Sequence, residues 1–126
     1  MQLPESLNLH VEGHLSASDA ARQKRSAQAI LSRFEHQPGI ILGDEVGMGK
    51  TFVALAVASA SVVHDPSRPV VIMVPRGVVV KWGRDSETFR AACISNDAER
   101  MHFRVKTAET GVDFIKLLDD TEETRA

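Results

Sequence analysis

The chain has 126 residues, of which 43% are apolar and 25% are charged, and its formal net charge is −2. This balance is typical of one globular domain, and it excludes a strongly basic protein that attracts nucleic acid by its overall charge. The single cysteine excludes an internal disulfide bond and a multi-cysteine metal site. Because no apolar stretch is long enough to span a bilayer and no signal peptide is evident, we predict no membrane partner and a cytoplasmic location, with the nucleoid or nucleus as alternatives.

The first predicted element is a helix that follows an irregular lead-in, residues 1–18. Ser16, with Asp19 three residues later, resembles a capping box, and apolar residues then recur at helical spacing as far as Phe34. This helix should end before Pro38, because proline does not continue a helix. We expect residues 19–118 to form the domain and residues 119–126 to form a polar tail.

A glycine-rich loop follows an apolar strand predicted over residues 40–42, and it opens an alanine-rich helix predicted over residues 50–63. Gly47 and Gly49 permit backbone conformations that other residues rarely adopt, so successive amides can turn inward around phosphate groups at the helix N-terminus. Lys50 adds a fixed positive charge, and the Thr51 hydroxyl is placed to ligate a magnesium ion. The predicted nucleotide-binding residues of this loop are Val46, Gly47, Met48, Gly49, Lys50 and Thr51.

The remaining elements alternate between strand and helix. A second apolar strand is predicted over residues 70–74, after a turn at residues 64–69. Residues 78–80 are three valines, which favour extended structure by propensity, whereas the spacing of the residues around them favours a helix. Further on, we predict a short strand over residues 101–105 and a short helix over residues 112–119. This alternation predicts right-handed parallel crossovers, so the expected fold is a three-layer α/β architecture around a parallel sheet.

The phosphate-binding loop departs from the strict Walker A pattern, because Asp44 stands where a glycine is expected and the glycine lies one residue earlier, at Gly43. The full stretch is Asp44-Glu45-Val46-Gly47-Met48-Gly49-Lys50-Thr51. It resembles motif I of the superfamily-two helicases, especially the Swi/Snf-like DNA translocases. A P-loop kinase that acts on a small molecule is a distant alternative, since such enzymes usually keep the leading glycine.

A second segment extends this resemblance. Pro75, Trp82 and Glu87 match motif Ia of the same family. The match implies that the junction at Arg76 and Gly77 contacts the phosphate backbone of DNA, a kind of contact that positions a protein without reading sequence. Packing alone also explains Trp82, and we favour packing for that side chain.

Gln23 lies upstream of motif I at a spacing that suits the family's Q motif. In that motif a glutamine amide recognises the edge of adenine with one donor and one acceptor. A surface glutamine on an amphipathic helix explains the residue equally well. With Gln23 included, the resemblance spans about residues 20–90.

The resemblance implies part of a RecA-like lobe, with ATP and magnesium as cofactors and double-stranded DNA as a partner through its backbone phosphates. It assigns the catalytic role to Lys50. The family also requires an acidic Asp-Glu-x-His box, and the only candidate here, Asp119-Asp120, has the surroundings of a solvated helix end. We therefore expect this chain alone to hydrolyse ATP poorly or not at all, and to need a second lobe or a partner subunit. The alternative is a noncatalytic nucleotide-binding or partner-binding module from a truncated or split ATPase.

Two other groups of reactive residues carry weaker signals. His10 and His14 share a helical spacing, but no third metal ligand is evident and the segment lacks helix signals, so we expect surface histidines. Cys93 has no neighbouring cysteine and no evident partner base. A buried or idle thiol is the expected state of that residue.

Overall fold

The computed structural model describes residues 1–10, 16–42 and 50–125. The helices are α1 (Ala17–Phe34), α2 (Lys50–His64), α3 (Val79–Cys93), α4 (Asp97–His102) and α5 (Gly111–Arg125), with a 3-10 turn (Arg76–Val78) directly before α3. No helix among the described residues is long and apolar enough to cross a membrane.

The prediction of a three-layer α/β fold, and with it the RecA-like parallel sheet, is wrong for the described residues, which contain no β-strand. Residues 40–42 and 70–74 are irregular, and side chains in both segments face solvent, with Ile41 96% and Met73 91% exposed. Residues 101–105, also predicted as a strand, begin inside α4 instead. The physical reason is that strand peptide groups bond to a neighbouring strand, so β-propensity alone forms no sheet.

The helix predictions are confirmed, because each helix satisfies most of its own peptide groups. Ser16 caps α1, and its side chain accepts a hydrogen bond from the Asp19 backbone N–H at 3.2 Å. Residues 78–80, where propensity and spacing disagree, lie in the 3-10 turn and the start of α3. The last predicted helix, over residues 112–119, lies within α5.

The core is centred on α2, which packs against α1, α3 and α4. This arrangement confirms the expectation that an alanine-rich, apolar helix is covered on several sides. Phe89 of α3 is fully buried, and its ring centroid lies 5.9 Å from that of Phe52 and 5.5 Å from that of Phe103. Offset and edge-on aromatic pairs at such distances add to the apolar burial.

Residues 1–10 pack against the end of α3, which lies far from them in sequence, and we call this arrangement the clasp. Leu7 and Ile94 form an isolated antiparallel bridge, and the Asn8 backbone N–H donates to the Cys93 carbonyl at 2.7 Å. The Arg100 guanidinium donates twice to the Ile94 carbonyl, at 3.0 and 2.7 Å. Leu7 and Leu9 are buried as a result, so the segment predicted as an irregular lead-in contributes to the core.

Candidate nucleotide-binding site

Lys50 and Thr51 are the first two residues of α2, and both side chains are half-buried. The first N–H groups of a helix have no acceptor within the helix, and the helix dipole adds partial positive charge at that end. The predicted lysine and hydroxyl therefore lie where an α-helix presents donors to an anion. The other predicted loop residues, Val46, Gly47, Met48 and Gly49, lie outside the described residues.

Gln23 is a buried residue of α1, only 3% exposed, so the alternative of a surface glutamine is wrong. Its Oε1 atom is buried and has no hydrogen-bond partner among the described residues. A buried acceptor without a donor costs about 1–3 kcal/mol of stability, so such a group usually has a functional or structural reason. An amine donor on a bound base would satisfy this atom.

The burial of Gln23 is predictable from its position on α1, although not from its residue type. Ala20, Ala27 and Leu31 are also buried, and together with Gln23 they recur at the three- and four-residue spacing of one helix face. Because this face of α1 belongs to the core, the glutamine at its centre is placed among apolar side chains. The helical period, applied to Gln23 as well as to the apolar residues, predicts its burial.

Gln23→Met is expected to raise the free energy of unfolding by about 1 kcal/mol, because an unbranched apolar side chain replaces an unpaired buried acceptor. The melting temperature should rise by about 4 °C. Thermal unfolding followed by circular dichroism measures the change. The exposed Gln28 of the same helix provides the control, since Gln28→Met should change stability by less than about 0.5 kcal/mol. A destabilised Gln23→Met protein would mean that the Gln23 amide makes native bonds in solution.

Arg76 and Gly77 lie in the 3-10 turn that follows Pro75, and both are exposed. A Cβ atom added at Gly77 would meet nothing within 4 Å, so the chain leaves the space over this turn open. Trp82 is half-buried against the core, as expected of a packing residue. Nearby, the Lys81 ammonium is paired with the Asp85 carboxylate at 2.8 Å. Arg76 and Arg84 form no ion pair with another residue that the structure describes.

The remaining candidates bear on metal binding and on thiol chemistry. Among the described residues, no three His, Cys, Asp or Glu side chains lie close enough to hold a metal ion. Asp119 is exposed, as expected, but it lies within α5 and not at a helix end, because α5 continues to Arg125. His10 is exposed, and His14 lies outside the described residues. Cys93 is buried, as expected, and burial raises the pKa of its thiol to about 11, which disfavours the reactive thiolate.

Comparison with protein-family models and solved structures does not assign the chain to a family. No protein-family model matches the chain, and no solved structure matches it. The resemblance to superfamily-two helicases therefore stays a prediction, carried by the residues of motifs Q, I and Ia.

Proposed function

We propose that this chain binds ATP with magnesium and is the ATP-binding portion of an ATP-dependent DNA translocase or helicase of the Swi/Snf-like type. The observation that carries the proposal is the position of Lys50 and Thr51 at the start of α2, directly after a glycine-rich loop sequence. A phosphate-binding loop requires a lysine and a hydroxyl at this end of a helix.

The residues present fit the proposed ligands. Lys50 would neutralise phosphate charge, and the Thr51 hydroxyl would supply one oxygen ligand to magnesium, an ion that prefers oxygen ligands and shares them with nucleotide phosphates. Gln23 would accept a hydrogen bond from the adenine amine through its unpaired Oε1. ATP itself supplies the phosphoanhydride bond whose hydrolysis drives a translocase.

A noncatalytic nucleotide-binding module is the second candidate, and one observation favours it. The sequence contains no Asp-Glu-x-His box, so it offers no carboxylate of that motif to hold magnesium or to position the attacking water. ATPase activity that double-stranded DNA stimulates would exclude this candidate. Binding without turnover, in the presence and absence of DNA, would favour it.

Titration of the purified chain with a fluorescent ATP analogue and magnesium tests the shared part of both candidates. Saturable binding, displaced more effectively by ATP than by GTP, is the expected result, because the Gln23 amide suits the edge of adenine. GTP lacks the amine donor at the corresponding position and should compete more weakly. Absence of binding at millimolar nucleotide would contradict the proposal.

Arg76→Ala is expected to weaken binding of double-stranded DNA and to reduce the slope of log K against log salt concentration by about 0.9, the value for one lost phosphate contact. Fluorescence anisotropy at several salt concentrations, with two DNA duplexes of unrelated sequence, measures both effects. The exposed Arg33 at the end of α1 serves as the control, and Arg33→Ala should leave the slope unchanged. Equal salt slopes for the two variants would mean that Arg76 does not contact a DNA phosphate.

A further inference from the structure

Residues 70–74 form an apolar strip between two prolines, Pro69 and Pro75. Val71 is 52% exposed, Ile72 42% and Met73 91%, although such side chains are usually buried. Within the described part of the chain, the peptide groups of these five residues have no hydrogen-bond partner. The strip therefore exposes both apolar side chains and unpaired backbone groups, which together favour pairing with another extended chain.

The sequence of the strip indicates what kind of chain pairs with it. Residues 69–75 read Pro-Val-Val-Ile-Met-Val-Pro, which is almost the same in both directions about Ile72. In an antiparallel pair of two such strips with the twofold axis at Ile72, Val70 lies opposite Val74, and Val71 lies opposite Met73. A surface that is complementary to itself in this way is the requirement for a symmetric dimer.

We propose that this protein self-associates through residues 70–74, which pair in antiparallel fashion with the same residues of a second copy. The prolines at both ends lack a backbone N–H, so they limit the ladder to the five residues between them. At each end of the pair, Arg76 of the second copy approaches Arg68, whose guanidinium lies 3.3 Å from the Asp65 carboxylate. Asp65 offsets one of these two positive charges, so it reduces the repulsion between the arginines without cancelling it.

The size of the strip sets the strength of the dimer. Stable interfaces contain roughly 20–30 residues on each side, so five paired residues predict a weak and reversible dimer. The proposal does not depend on nucleotide binding, because the paired residues are outside the candidate nucleotide site. Self-association should therefore persist in Lys50→Ala.

Sedimentation equilibrium over a range of protein concentrations tests the proposal. We expect a reversible monomer–dimer equilibrium in the wild type and a monomer for Ile72→Lys, because two lysines then face each other at the twofold axis. Ile115→Lys is the matched control, since Ile115 is a similarly exposed isoleucine on α5. A monomeric wild type, or a dimer lost in Ile115→Lys and kept in Ile72→Lys, would overturn the proposal. Circular dichroism establishes that both variants remain folded.

Oxidative cross-linking tests the register directly. Residues opposite each other in an antiparallel pair have Cα atoms about 4.5–5.5 Å apart, within the range of a disulfide bond. Ile72→Cys should therefore give a covalent dimer with copper phenanthroline. Val70→Cys should not, because the two copies of residue 70 lie about 13 Å apart along the pair. The wild type controls for Cys93, which is buried. Equal cross-linking of the two cysteine variants would contradict the register.

Discussion

Lys50→Ala is expected to weaken binding of a magnesium–ATP analogue by roughly tenfold to a hundredfold. Hydrogen bonds to charged groups contribute about 1.5–3 kcal/mol, and every 1.4 kcal/mol changes a dissociation constant tenfold. Lys50 is half-buried at the first position of α2, so solvent screens its charge less than it screens a fully exposed lysine. Fluorescence titration of the wild type and the variant under one set of magnesium and salt conditions measures the ratio.

Two further variants distinguish the effect of a charge at the candidate site from the effect of the net charge of the protein. Lys106 is exposed and distant in sequence from the loop, so Lys106→Ala removes the same charge without touching the candidate site. It should leave the dissociation constant unchanged. Lys50→Arg keeps the charge but changes its shape, and we expect an intermediate loss. If Lys50→Ala binds as tightly as Lys106→Ala while both remain folded, the start of α2 is not the phosphate site.

Phe89→Ala should lower the free energy of unfolding by about 3–5 kcal/mol, the usual cost when a buried aromatic residue is truncated to alanine. Phe89 is fully buried and lies between the rings of Phe52 and Phe103, so its removal leaves a cavity and ends both aromatic contacts. Because the total stability of a domain is only about 5–15 kcal/mol, the variant loses a large part of it. Urea unfolding followed by circular dichroism at 222 nm measures the loss.

Phe114 on α5 is the matched control, since it is 38% exposed and its truncation removes less buried surface. Phe114→Ala should cost less than about 1 kcal/mol, in the range of ordinary surface changes. Losses of similar size in the two variants would mean that Phe89 is no more important to the core than a partly exposed phenylalanine. The comparison also tests the packing of α2 against α3, because the Phe89 ring contacts Phe52, which belongs to α2.

The sequence predicts the helices well and the sheet badly, for one physical reason. The start of α1 depends on Ser16 and Asp19, which are neighbours along the chain, and the hydrogen bonds of the helix lie within the helix itself. A strand at residues 70–74 depends on a partner that local sequence does not specify. The three valines at residues 78–80 show the same dominance of local hydrogen bonding, since they adopt helical structure despite their extended propensity.

Within the candidate site, the sequence predicts which helix a residue belongs to better than it predicts how deeply that residue is buried. The glycine-rich loop followed by Lys50 and Thr51 predicts a helix from the lysine onward, and both residues are helical. The residue type of Gln23 suggests adenine recognition, but its burial depends on how α1 packs against α2. Long-range packing of this kind is outside what a single motif reveals.

The clasp also determines when the core can be completed during synthesis. Leu7 is made early, whereas its bridge partner Ile94 and Phe103, which belongs to the same core, are made later. At about 5–20 residues per second, the interval between Leu7 and Ile94 is on the order of ten seconds. Throughout that interval Leu7 lacks its bridge partner, so this part of the core closes only after Ile94 has been translated.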